Sequence, residues 1–205
     1  MNSTVTVVMA IVAWLLLRVR YQRAHIALLG QHLANLQLER HMETLTQGYT
    51  RAIHEKEETR QIQVMETFAQ TERAVATQAR TLADAMQKES LHAASMGTLP
   101  LSVPYLERFL PTLTRDFREL LHIHAAGLRH VVDNESNWGT KDRAYHLSAE
   151  LYLFQHSCHW FCKSRTVADA RLAMRHQVTH QKVLESVSEV TRSAYLSWLH
   201  AGKVK

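Results

Sequence analysis

An all-α fold is predicted for this chain, and three observations carry the prediction. Six glycines and three prolines in 205 residues leave few places for the tight turns that a strand-rich fold needs. Apolar residues recur in steps of three and four over most of the length, which is the repeat of one helix face. The chain opens with an uncharged apolar run, Thr4 to Leu17, TVTVVMAIVAWLLL, followed at once by Arg18, Arg20 and Arg23. Together they predict a single-pass transmembrane helix with its basic flank (1–23), a long coiled-coil stalk (24–95), a hinge (96–104) and a three- or four-helix bundle head (105–205).

The apolar run falls short of the roughly 20 residues a spanning helix needs. Arginines can keep their stems in the apolar layer while their charges reach the headgroups, which extends the span to about Tyr21. A cleavable signal would carry positive charge before the run and a small-residue site after it, whereas here Met1, Asn2 and Ser3 are uncharged and arginines follow. Trp14, Arg18, Arg20 and Arg23 are therefore expected to flank the membrane. Basic residues after the span place the N-terminus outside and the C-terminal region in the cytosol. A mitochondrial location, through a transit peptide or an inner-membrane anchor, is the alternative, because the first acidic residue is Glu39 and transit peptides are poor in acid.

From 24 to 95 there is no proline, so a helix of up to roughly 100 Å is permitted. Leu29, Leu33 and Leu36, then Leu38, Met42 and Leu45, then Phe68, Val75 and Leu82 follow helical steps with hops between registers, as in a coiled-coil seam with stutters. Between them RAIHEKEETR, residues 51–60, is largely charged and reads as a solvated helix or a hinge. The seam predicts a homo-oligomer, and the alanine-rich end, 74–94, is the alternative fourth helix of the head.

The breakers at 96–104, MGTLPLSVP, mark a boundary. Three head helices are expected: 102–132 with a kink at Pro111, 141–163, and one from Thr166 to about 201, stopped by Gly202. The middle helix is apolar all round, and Tyr145, Tyr152 and Trp160 on its second side mark a candidate partner surface.

The net charge of +5 does not signal nucleic acid: residues 24–95 hold 7 basic against 9 acidic side chains, and no basic tract interleaves with aromatics. Fourteen histidines is a high count, and His124, His176 and His180 fall inside apolar stripes. Turn counting puts all three at one level of the core, where they would suit zinc or another N-ligated metal, with Glu150 at the flank. The pairs His146-Leu-Ser-Ala-Glu150 and His176-Gln-Val-Thr-His180 resemble the ligand pairs of hemerythrin-like bundles. The interval between them is longer, no HxxxxD follows, and the family is not assigned. Cys158 and Cys162, the only cysteines, share a helix face and read as buried thiols. No phosphate loop, nucleophile elbow or HExxH is present, so no catalytic residue is assigned and no cofactor is expected.

The leading expectation is a membrane-tethered coiled-coil adaptor or complex subunit that contacts lipid, self-associates through its stalk and offers a helical head to a protein partner. The alternative is a metal- or haem-binding helical sensor or enzyme using His124, His176 and His180.

Overall fold

Helix α1 (Asn2–Leu33) carries two kinds of surface on one rod. From Ser3 to Leu17 every side chain is exposed, whereas Gln22, His25 and Leu29 are buried. These three sit in steps of three and four, so one face of the second half is docked. This computed structural model describes residues 2–201; the expected stop at Gly202 and the end of the 105–205 head lie outside them. The described residues are mostly helical, with one long apolar helix at the N-terminus, as predicted.

Helices α2 (Leu38–Ile53), α3 (Glu58–Glu66) and α4 (Ala69–Met86) follow α1 in sequence. Strand β1 (Ser95–Gly97), a one-turn helix α5 (Leu106–Phe109), a 3-10 turn (Pro111–Leu113) and strand β2 (Thr114–Asp116) come next. The rest is α6 (Phe117–Val132), α7 (Thr140–Cys162), α8 (Arg165–His176), α9 (His180–Ser186) and α10 (Glu189–His200). The two strands pair antiparallel with Met96 opposite Arg115.

Helix α7 is the axis, with α6, α8 and α9 packed on it, α4 and α10 against α6, and α2 closing on α4 and α7. Alanines at 76, 79 and 83 on α4 are fully or almost fully buried, and such small side chains let α4 lie close on α6. Gly127 lets α6 come close to α10 and α7: a Cβ there would stand 1.9 Å from Thr191 Oγ1 and 2.8 Å from Glu150 Oε2. Four N-caps set the helix starts. Asp116, Ser164, Thr179 and Ser188 accept from backbone N–H groups of the first turns of α6, α8, α9 and α10, where those donors have no helical partner.

The structure corrects the expected stalk. Residues 24–95 form no single rod: helix is interrupted at 34–37, at 54–57 and at 67–68, and at 54–57 the chain folds back so that α3 and α4 pack on α2. Leu29, Leu38, Met42, Leu45, Val75 and Leu82 are buried, and Leu33, Leu36 and Phe68 pack against the same core. The seam residues thus face the chain's own helices. The charged segment 51–60 makes the reversal because it has too little apolar surface to hold a helix down; Gln61 Nε2 closes it with bonds to the carbonyls of Ile53 (3.2 Å) and Glu55 (2.6 Å). The weld between these helices and α7 is polar. Glu72 of α4, 2 % exposed, accepts from Arg143 Nη1 of α7 at 2.7 Å and from the Tyr49 hydroxyl of α2.

Two further helix expectations are corrected. Helix does not run through 102–116; Pro111 starts a 3-10 turn and Asp116 caps a new helix at Phe117. The expected last helix is three pieces, α8 ending on Gln177 in the left-handed region (φ 54°) and α9 and α10 each restarting on its own cap. The hinge segment 96–104 is tied at its start and at its middle, with β1 in the ladder and Pro100 O accepting from Thr166 N at 3.1 Å.

Candidate functional site

Three places were built from these elements: the seat of the apolar helix, a buried imidazole group and an apolar cleft. The first begins where charge begins. Among the described residues one helix, from Ser3 to Leu33, is long and apolar enough to cross a membrane, and none of its most apolar stretch is buried. Its Ser3 to Arg20 portion spans about 27 Å, close to the roughly 30 Å of a bilayer core. Arg18 lies over the Trp14 ring, 5.6 Å from its centre, while Arg20 and Arg23 are exposed.

Immediately beyond, the head takes hold. Tyr21 donates to the Glu107 carboxylate at 3.5 Å and meets the Tyr105 ring edge-on at 5.4 Å. Gln22 Nε2 donates to Lys163 O at 3.2 Å. His25 Nδ1–H donates to Phe161 O at 2.9 Å, its ring stacks on Phe161 at 4.3 Å, and Phe161 stacks on Phe117 at 4.1 Å. An unbroken aromatic stack therefore joins α1 through α7 to α6. Burial lowers the His25 pKa, the carbonyl opposing, so the neutral ring serves as the donor. Further along, His32 meets Glu89 at 2.8 Å.

The second place holds two of the three histidines singled out in the sequence. His124 Nε2 donates at 2.8 Å to Ser157 Oγ, whose own hydroxyl donates to Leu153 O at 3.0 Å. His180 Nε2 lies 3.1 Å from the Tyr195 hydroxyl. Their rings stand around Tyr195 with centres 6.4 Å and 5.8 Å from it. His176 is elsewhere: it stacks on Tyr152 at 4.1 Å and meets Gln155 Oε1 at 2.9 Å. The expected convergence of His124, His176 and His180 is thus replaced by separate partners for each. Among the described residues no group of three or more His, Cys, Asp or Glu side chains could hold a metal ion. What sequence reading missed is the pairing of His156: wholly buried in its side chain, it has Nε2 2.7 Å from Asp169 Oδ1 and its ring 4.4 Å from that of His180. No spacing rule announces that pair, because it bridges the turn between α7 and α8.

Charge in this core is governed by burial. Desolvation, then His156, pushes His124 down to about 3, and desolvation with His156 and Arg165 pushes His180 down to about 4. Glu150 goes the other way, up to about 7, because burial outweighs its hydrogen bonds from Thr191 and Ser188. The histidines are held neutral, so their stabilising contribution is full above the unfolded pKa of roughly 6.5 and is lost as pH falls toward the folded values. Glu150 contributes fully below its unfolded pKa and loses that contribution as pH rises through 7, so the two effects oppose each other at mildly acid pH. Below about pH 4.5 only the histidines still change. The melting temperature is expected to drop by about 10 °C between pH 7 and pH 4. Circular dichroism across that range checks it, and His124→Gln should shallow the slope.

The third place is a cleft of about 180 Å³ between α1 and α2 on one side and α7 and α8 on the other. Leu29, Leu38, Met42, Leu151 and Phe154 line it with Cys158 and Cys162, and Glu43, Arg175 and His176 form its rim. Burial raises both thiols, Cys162 to about 11, so neither is a ready nucleophile. The space is below the roughly 300 Å³ at which ligand pockets begin.

Of the expected partner surface, only Tyr145 is on the surface, 50 % exposed. Tyr152 is covered by His176, and Trp160, 3 % exposed, donates to Gly97 O at 2.9 Å. Central position explains the apolar second side of α7. No family model matches the chain, and no curated protein and no solved structure is significantly similar to it.

Proposed function

We propose that this chain is a membrane-anchored helical adaptor, with α1 as a single-pass anchor and residues 21–201 as a head seated directly on it. The observation that supports the reading most is the division of α1: an apolar half whose side chains stand exposed from Ser3 to Leu17, continued without a break into a half whose buried face belongs to the head core. An exposed apolar helix surface of this length favours an apolar medium. Arginines after the run favour an outside N-terminus and a cytosolic head.

The head would then work by position. Tethering raises its effective concentration at the bilayer for a protein partner, and the stack through His25, Phe161 and Phe117 sets its orientation. In this reading a single copy suffices, because the residues expected to pair two copies are used inside one.

Carbonate extraction of membranes carrying the full chain tests the anchor. The protein is expected in the pellet; finding it in the supernatant, or finding a mature N-terminus beyond Arg23, would end the reading.

A further inference from the structure

The loop 98–113 is a closed excursion from the small ladder. Thr98 donates to Leu113 O through both its backbone N and its hydroxyl, each at 2.9 Å, so the two ends are clamped as in an Ω-loop. Leu106 is tucked in at 5 % exposure, while Leu101, Phe109 and Leu110 stand out at 56, 79 and 49 %. Among the described residues nothing covers Phe109, and so large an apolar side chain left this exposed calls for an explanation.

The loop's position supplies the explanation. It flanks α1 at Tyr21, the residue to which the span extends within the arginine flank, through the Tyr105 ring and the Glu107 carboxylate. Leu101 and Tyr21 also line one shared cleft. The charges around it are cationic: Arg108 lies over Tyr105 at 5.1 Å, Arg20 is exposed on α1, and Lys163 reaches Gln22 at 3.5 Å. Glu107, the only acid in the loop, is turned inward, 9 % exposed in its side chain and 3.0 Å from His92. Apolar side chains within a basic collar, at the level where the anchor leaves the head, match the acyl boundary and anionic headgroups of a bilayer.

We propose that loop 98–113 is a second membrane contact, with Phe109, Leu110 and Leu101 entering the interfacial layer beside the anchor. This rests on the anchor reading above. Two contacts, a spanning helix and a wedge at its side, fix the tilt of the head as well as its height.

The test uses the full chain in nanodiscs of phosphatidylcholine and phosphatidylglycerol, loaded at one chain per disc so that no second copy can cover the loop. Phe109→Cys, Trp14→Cys and Met174→Cys variants are treated with a membrane-impermeant maleimide, and each site is read by peptide mass, which separates it from the native thiols. Met174, 84 % exposed, lies near the end of α8 away from Pro100 and is the solvent reference. Because the thiolate is the reacting form and does not persist in an apolar layer, labelling at Phe109→Cys and at Trp14→Cys should be about tenfold slower or more than at Met174→Cys. Labelling of Phe109→Cys at the Met174→Cys rate, with Trp14→Cys still protected, would overturn the loop contact and leave the anchor standing. Labelling of Trp14→Cys at the reference rate would overturn the anchor, and the loop contact with it.

Discussion

Glu72→Ala is expected to lower the stability of the protein by about 3 kcal/mol, since removing one partner of a buried ion pair strands the other. For a chain of this size that is about 6–12 °C in Tm. Glu72 accepts from α7 through Arg143 and from α2 through Tyr49, so its loss leaves a half-buried guanidinium and a buried hydroxyl without their acceptor. The double variant Glu72→Leu, Arg143→Leu should recover much of the loss, because apolar replacement of a whole buried pair is close to neutral. Thermal melts of the single and double variants check both statements. A Glu72→Ala protein melting within a degree of the parent would mean that the pair does not join these helices.

Met9→Asp with Val12→Asp is expected to release the protein from the membrane. Both side chains are exposed on the apolar half of α1, at 65 and 46 %, and each aspartate near the centre of a span costs about 3 kcal/mol. A run that is only just long enough cannot absorb roughly twice that. The variant should move from the carbonate pellet to the supernatant. Its head should melt as before, since no part of the head rests on those positions. Retention in the pellet would show that something other than α1 holds the protein to the bilayer.

The helical character of the chain and the limits of the apolar run were legible because each depends on local pattern: Thr4 to Leu17 carries no charge, and the arginines close it. The fate of residues 24–95 was not. Leu38, Met42, Leu45 and Tyr49 form a stripe that fits a second copy or the chain's own α4 and α7 equally well, since spacing describes the face of a helix and not its partner. The reversal at 51–60 was visible as a polar gap, but its direction depends on long-range contacts such as Glu72 with Arg143. By pattern alone loop 98–113 reads as breakers followed by helix, with Pro111 fitting a kink; the Asp116 cap and the pairing of Met96 with Arg115 override that. Convergence of His124, His176 and His180 follows only if the last helix is unbroken. Once Gln177 ends α8 and Thr179 starts α9, His176 and His180 part company, and His156 takes the place beside His180.

The central claim, that one chain folds residues 24–95 into its own head beside the membrane, is tested most directly by a zero-length cross-link in the native protein. Lys141 Nζ lies 2.9 Å from Glu58 Oε1, joining the start of α7 to the start of α3 at the surface. Carbodiimide treatment of the full chain in membranes, with light and heavy isotope copies mixed, should give a Glu58 to Lys141 isopeptide in the monomer band, with both peptides from the same isotope pool. Absence of that link, or its appearance only as light-to-heavy pairs in a dimer band, would contradict the account.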